Sequence, residues 1–301
     1  MIFCVGSINL DFITNVRTLP IKGETVIGDN LIISPGGKGA NQAVAASKAG
    51  SKVGLVAAVG NDQNRDPALQ SILKGDIDIS GLVTLNDNTG VAFVTIDQFG
   101  ENQIVVSPGA NNSLSAEDVK KGLASMKQPD ILLIQQEIPF HALEQAVKMA
   151  SAVGSTTVLN TAPQNSDSQK LVRESSIIIC NEVEFSNLFL DFFGYEQSFK
   201  GQSLMEKLRQ ISNSFEKTFI VTLGDKGLIC TSFQDQFEIP ASKVSVVDTV
   251  GAGDTFCGFF SACLDQGKTL KESLIIANKA AALACTKAGA QHAIPTIDDI
   301  V

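Results

Sequence analysis

Two glycine clusters, with the acidic and amide side chains beside them, are the parts of this sequence equipped for chemistry. The segment Val247-Asp248-Thr249-Val250-Gly251-Ala252-Gly253-Asp254-Thr255-Phe256 runs on into Cys257 to Leu264. There Phe256, Phe259, Phe260, Cys263 and Leu264 share one helical face. That places Gly251-Ala252-Gly253 at the helix N-terminus, where main-chain amides lack intrahelical partners and the dipole is positive, so these residues form a candidate anion site. Asp254 in the first turn has an ordinary reading as a dipole-complementing carboxylate. It is also placed to take a proton from a hydroxyl while the neighbouring amides stabilise a transferring phosphoryl group.

The other cluster is Gly36-Gly37-Lys38-Gly39-Ala40-Asn41-Gln42. It is not a Walker A loop, because Gly39 follows Lys38 where Ser or Thr is needed, and it does not satisfy Gly-x-Gly-x-x-Gly. Glycines let the backbone approach a ligand closely, while Lys38, Asn41, Asn9 and Asp11 supply both donors and acceptors. That mixture suits a polyhydroxylated ligand better than a phosphate alone. A bare glycine-rich turn is the plainer alternative.

The elements that must carry these residues can be read from short runs rich in Val, Ile and Leu, as expected for buried parallel strands. They are Ile2 to Val5, Val53 to Val59, Ile131 to Ile134, Thr157 to Leu159, Ile177 to Cys180 and Phe219 to Leu223. Helical spacing lies between them, at Asn41 to Ala49 and at Ala142 to Val153. Alternation of this kind predicts a doubly wound, mostly parallel α/β sheet flanked by helices. Polar residues follow the strands: Gly6 to Asp11, Gln135 to Glu137, Asn160 to Pro163, Asn181 to Glu184, and Gly224 to Gly227. In an open α/β sheet that end of the strands is the ligand crevice. Two stretches break the pattern, an extended segment around 12–35 and an alternating hairpin around 90–107. They predict a small sheet inserted in a single domain spanning 1–301, as a lid over the site or as cover for one edge.

Composition narrows the function classes. The chain has 44% hydrophobic and 18% charged residues, enough apolar side chain for a sizeable core. With 23 basic and 32 acidic residues it carries a net −9, which opposes binding to nucleic acid through a basic face. Cys4, Cys180, Cys230, Cys257, Cys263 and Cys285 form no Cys-x-x-Cys pair, and His141 and His292 offer no zinc-like spacing. No apolar run is long enough to span a bilayer, and the N-terminus lacks a basic, signal-like start. A cytoplasmic protein with reduced thiols and no membrane partner is the expectation.

Taken together, these residues resemble the ribokinase family of sugar and nucleoside kinases, also called the phosphofructokinase B type. The likeness runs nearly end to end, and its most specific pieces are Gly36 to Gln42 and Asp248 to Phe256. Combined with Asn9-Leu10-Asp11, the first cluster is more similar to the ribose-phosphorylating branch than to fructose or adenosine kinases. The resemblance implies a doubly wound sheet with a β-sheet lid that often forms a homodimer interface. It also implies transfer of the γ-phosphoryl group of ATP to O5 of D-ribose, with Mg2+ accompanying the nucleotide. Asp254 would be the base, beside an anion hole of Gly251, Ala252 and Gly253. Asn9, Asp11, Gly37, Lys38, Gly39, Ala40, Asn41 and Glu137 would hold the sugar.

By the same resemblance, Asn181 and Glu184 match an Asn-x-x-Glu that organises magnesium and phosphates, a spacing that shares one face of a helix. Thr222, Leu223, Gly224, Asp225, Lys226, Gly227, Gly253 and Asn278 would line ATP. A monovalent cation, K+, would lie among Asp248, Val250, Ala284, Lys287, Gly289 and Ala293, mostly on main-chain carbonyls. Ala293 stands where the family usually has serine, and Arg65-Asp66 where it has an aromatic residue and glycine. Three other readings stay open: the same chemistry on 2-deoxyribose, fructose or a nucleoside; a sugar- or nucleotide-binding regulator without turnover; and a dinucleotide-dependent oxidoreductase. Asp254, Glu184 and the anion-hole residues count against the regulator. The missing Gly-x-Gly-x-x-Gly after the first strand counts against the oxidoreductase.

Overall fold

The apolar runs pair with one another into one large sheet in a computed structural model that describes residues 1–194 and 201–300. In chain order the strands are β1 (Ile2–Val5), β2 (Asn9–Asn15), β3 (Ile32–Gly36), β4 (Val53–Gly60), β5 (Ile77–Leu85), β6 (Gly90–Ile96), β7 (Asn102–Ser107), β8 (Ile131–Ile134), β9 (Thr156–Asn160), β10 (Ile177–Asn181), β11 (Thr218–Thr222), β12 (Leu228–Thr231) and β13 (Gln236–Ile239). The helices are α1 (Lys38–Lys48), α2 (Arg65–Lys74), α3 (Ala116–Gly122), α4 (Phe140–Val153), α5 (Ser168–Glu174), α6 (Glu182–Phe193), α7 (Leu204–Phe215), α8 (Ala252–Asp265), α9 (Leu270–Ala284) and α10 (Ala290–Ala293).

The large sheet has the order β13-β12-β11-β10-β9-β8-β1-β4-β5, parallel from β5 to β11 and antiparallel at β12 and β13. Alternate residues of each strand serve opposite faces: Ile2 and Cys4 pack with α1, α2, α8 and α9, while Phe3 and Val5 pack with α3 to α7. Both faces are therefore covered, which is why β1 and β8 are apolar along their whole length. The sheet is doubly wound about β1, which is followed on one side by β4 and on the other by β8. The reversal point between β1 and β8 opens a crevice at their carboxyl ends.

The predicted strands all form. Beyond them, β5 is only partly buried and so shows no continuous apolar run, and the β12–β13 pair adds an antiparallel edge. A second sheet, β3-β2-β6-β7, holds the two segments that break the α/β pattern. Its bounds reach further than the pattern suggests: β2 begins at Asn9 and β3 ends at Gly36, so Asn9 and Asp11 lie in the small sheet rather than in a loop after β1. No helix among the described residues is long and apolar enough to cross a membrane.

One packing contact matters most for the site. Helices α1 and α8 cross so closely that a Cβ on Gly258 would lie 2.4 Å from the Ala45 Cβ and 2.6 Å from the Gln42 carbonyl oxygen. The alanine-rich face of α1 and the glycine of α8 make that approach possible. One turn back along each helix, Asn41 and Gln42 consequently meet Asp254.

Candidate functional site

The crevice is built on the N-terminus of α1. Its first amides would be unpaired, and the turns after β1 and β8 satisfy them: Ala40 N donates to the Ser7 carbonyl at 2.9 Å, and Lys38 N donates to Glu137 Oε2 at 3.1 Å. Ser7 Oγ donates to the same Glu137 oxygen at 2.5 Å. Gly37, which opens the helix, has φ 87°, and a Cβ there would come within 2.7 Å of Asn9 N, so only glycine fits. Glu137 thus holds the glycine cluster in place, and its other oxygen lies 4.0 Å from Lys38 Nζ.

Asp254, in the first turn of α8, is buried. Its Oδ2 accepts from Asn41 Nδ2 and its Oδ1 from Gln42 Nε2, each at 2.9 Å. Lys38 ties this carboxylate to the rest of the site. Its ammonium is held above the ordinary lysine range chiefly by Asp254, against the opposing effect of burial, with Glu137 and Glu184 adding to the rise. Asp11 comes in from β2. Burial first, then the charges of Glu137 and Asp254, push its carboxyl up to about 7, partly countered by Lys38. Asn9 Oδ1 accepts from Asn111 Nδ2 at 2.8 Å, so that end of the carboxamide is already fixed.

On the other side of Asp254 lies a cavity of about 190 Å3, lined by Lys38, Asn160, Asn181, Glu184, Thr222, Gly251, Gly253 and Asp254 among others. Gly251 caps α8, and a Cβ built on Gly253 meets nothing within 4 Å, so the start of the helix is open to whatever enters. Of the expected anion-hole amides, that of Ala252 donates to the Thr249 carbonyl at 3.3 Å, a long bond.

Asn181 and Glu184 do not sit side by side on a helix face as their spacing suggests. Asn181 is the N-cap of α6, its Oδ1 accepting from Glu184 N at 2.8 Å while Glu184 Oε2 accepts from Asn181 N at 3.0 Å. This reciprocal capping box satisfies two orphan amides and holds both side chains at the cavity mouth. Thr222 lines the cavity, but Leu223 to Lys226 are not among its lining residues, Gly224 to Lys226 forming an exposed turn, and Asn278 Nδ2 donates to the Pro240 carbonyl at 2.8 Å. Gly227 packs against the chain after β13, where a Cβ would lie 2.0 Å from the Ile239 carbonyl oxygen.

The residues expected around a monovalent cation are also brought together in part. Asp248 Oδ1 accepts from Val250 N at 3.0 Å and its Oδ2 from Gly289 N at 2.8 Å, while the Ala284 carbonyl accepts from Lys287 N at 3.3 Å. Ala293 is buried in α10 and contributes no side-chain oxygen. All six cysteines are free, and burial pushes the Cys4 thiol up to about 12. Cys257 lines the cavity with its thiol likewise raised.

Several members of the site have no role in the sequence reading. Gln42, Asn111, Asn160, Gln135 and Gln291 are buried amides that bond to the expected residues or to one another. Their one sequence signal is position: Gln42 ends the glycine cluster, and Gln135 and Asn160 come directly after strands.

A cleft with carboxylate and carboxamide side chains on one flank of a buried carboxylate and an open helix N-terminus on the other belongs to the α/β group-transfer enzymes. The chain matches the pfkB family of carbohydrate kinases over residues 1–297, and it belongs to that family. It is a carbohydrate kinase. It is 36% identical over 293 residues to a ribokinase of Haemophilus influenzae, covering 97% of this chain and 94% of that one. Its fold is similar to that of a solved ribokinase from Thermotoga maritima, with a TM-score of 0.88 at 33% identity, over 100% of this chain and 97% of the other. A ribokinase of Arabidopsis thaliana, solved in complex with ribose and ATP, superimposes with a TM-score of 0.83 at 26% identity, over 99% and 96% of the two chains.

Proposed function

We propose that this enzyme transfers the γ-phosphoryl group of ATP to O5 of D-ribose, with Asp254 as the base. The observation that carries the reading is the position of Asp254 between the Asn9, Asp11 and Asn41 side of the crevice and the cavity that opens on Gly253. The plant relative's ribose and ATP support the same pairing of ligands. In this reading the O5 hydroxyl gives its proton to Asp254 as the oxygen attacks the γ-phosphorus. ADP is the leaving group, and the proton then passes to solvent. Amides at the start of α8 and the Lys38 ammonium face the negative charge of the transferring group. Asn9, Asp11, Asn41 and the backbone from Gly37 to Ala40 hold the sugar, with Glu137 fixing that backbone and Lys38.

The cavity fits a nucleotide's phosphates: it has an open glycine, a cation and the Asn181 amide. Mg2+ is carried in by ATP and met by Glu184, which lines the cavity, through water. Magnesium, when bound, neutralises charge on the β- and γ-phosphates. Thr222 to Gly227 and Asn278 form the nucleotide side, and the K+ site lies among Asp248 and Val250 before α8, Ala284 at the end of α9, Lys287 and Gly289 after it, and Ala293 in α10. The small sheet is a lid that pairs two copies into a homodimer through the cross-strand row Ile33, Phe12, Phe93 and Val105. Ile33, Phe93 and Val105 are more than half exposed, and the Phe12 and Phe93 rings stack at 5.6 Å. Free thiols, five of the six buried, suit a cytoplasmic setting.

The test is coupled ADP release with Mg-ATP and K+, comparing ribose, 2-deoxyribose, fructose and adenosine at equal concentration. Ribose is expected to give the largest kcat/KM. Preferred turnover of another acceptor would overturn the sugar assignment.

A further inference from the structure

The two amides that hold Asp254 are themselves held from behind. Gln42 Nε2 donates to Asp254 Oδ1, and its Oε1 accepts from Gln135 Nε2 at 2.7 Å. Asn41 Nδ2 donates to Asp254 Oδ2, and its Oδ1 accepts from Gln291 Nε2 at 2.9 Å. Gln135 comes from the turn after β8 and Gln291 from α10, and all three glutamines are essentially sealed from solvent.

The two ends of a carboxamide are nearly the same size, one donating and one accepting. Against an ionised Asp254 only the N–H end is favourable. Once Asp254 has taken a proton its hydroxyl is a donor, and the carbonyl ends of Gln42 and Asn41 become attractive partners. If an amide turned over at that moment it would trap the base in its protonated form. Turning over also requires the carbonyl end to leave its present donor, and that donor is Gln135 on one arm and Gln291 on the other.

A second observation points the same way. Gln135 Oε1 and Gln291 Oε1 are buried with no partner in the structure. An unpaired buried polar atom costs about 1–3 kcal/mol, so packing alone favours an apolar side chain at both positions. What each glutamine contributes is its N–H end. The carbonyl end of Gln135 also lies close against Gly6, since a Cβ built there would be 2.1 Å from it.

We propose that Gln135 and Gln291 are positioning residues that keep the N–H ends of Gln42 and Asn41 on Asp254 through both of its protonation states, so that the base resets after each turnover. The proposal rests on Asp254 being the base. It predicts that Gln135→Met and Gln291→Met each lower kcat about ten-fold, the rate value of roughly one hydrogen bond. KM for ATP should stay within about two-fold in both variants, and KM for ribose within about two-fold in Gln135→Met, because neither Gln135 nor Gln42 holds the sugar in the reading above. Gln291→Met acts through the sugar-holding Asn41 and is read on kcat and on KM for ATP. Gln135→Glu should be slower than Gln135→Met, because a carboxylate there draws the Gln42 N–H end away from Asp254. Asp254→Asn is run alongside. If Asp254→Asn abolishes turnover while both Met variants keep wild-type kcat, or raise KM with kcat unchanged, the positioning role is wrong and the base assignment survives. If Asp254→Asn turns over like wild type, both fall. Should Gln135→Met fail to fold, Gln291→Met decides alone, since it acts on the other carboxylate oxygen.

Discussion

Replacing Asp11 by Asn should stabilise the ligand-free protein relative to wild type by an amount that grows as the pH rises. The Asp11 carboxyl is pushed from its ordinary 3.8 up to about 7 by burial and by the charges of Glu137 and Asp254. A carboxyl whose folded pKa exceeds its unfolded value favours folding while protonated. That contribution is complete below about pH 4 and is lost as pH climbs through about 7. Over the whole window the shift corresponds to about 4 kcal/mol, of which about 2.5 kcal/mol falls between pH 5 and pH 8. Asp11 keeps partial contact with solvent, which about halves the figure to roughly 1 kcal/mol, or about 2 °C in Tm for a chain of this size. Asn carries no such titration. Scanning calorimetry of both proteins without sugar or nucleotide should therefore show the Tm of Asp11→Asn gaining about 2 °C on wild type between pH 5 and pH 8. A Tm difference that stays constant, or that shrinks with rising pH, would refute the electrostatic reasoning.

Asp254→Asn should lower kcat by about 10²–10⁴, the usual cost of a lost general base, while ribose binding measured by calorimetry is kept. Gly253→Ala adds a methyl group where nothing lies within 4 Å, so Tm should hold or rise by the helix preference of about 0.5–1 kcal/mol while ATP turnover falls at least about ten-fold. Wild-type turnover in a variant whose Tm holds would mean the cavity beside Gly253 is not where the phosphates go. Gly258→Val should cost about 1–3 kcal/mol in denaturant unfolding and lower kcat as well, because it forces apart the helices that bring Gln42 to Asp254. Sedimentation velocity should find a dimer for wild type and a monomer for Val105→Glu, and an unchanged dimer would move the interface off the small sheet.

Much of the fold can be read along the chain because it rests on local patterns. Runs such as Ile131 to Ile134 are apolar throughout since both faces of the sheet are covered, and the hairpin near 90–107 is marked by its turn residues. The regions such patterns miss are those whose burial is partial. β5 is half exposed, and β12 and β13 are short edge strands whose identity depends on the β11 edge they join. Asn181 and Glu184 show the same limit at the site. Their spacing fits both a shared helix face and a capping box, and only the position of the helix start, at Glu182, separates the two.

By itself the sequence determined the α/β class, the two glycine clusters and Asp254 at a helix N-terminus, because each depends on neighbours within a turn or two. Tertiary structure decided what Asp254 touches. The Asn41 and Gln42 bonds to it span 213 and 212 residues of chain, and the Gln291 to Asn41 bond spans 250. No local pattern encodes them, because they exist only where the Gly258 crossing brings α1 against α8. The raised pKa of Asp11 is likewise a property of the assembled crevice, set by burial and by carboxylates from two other elements.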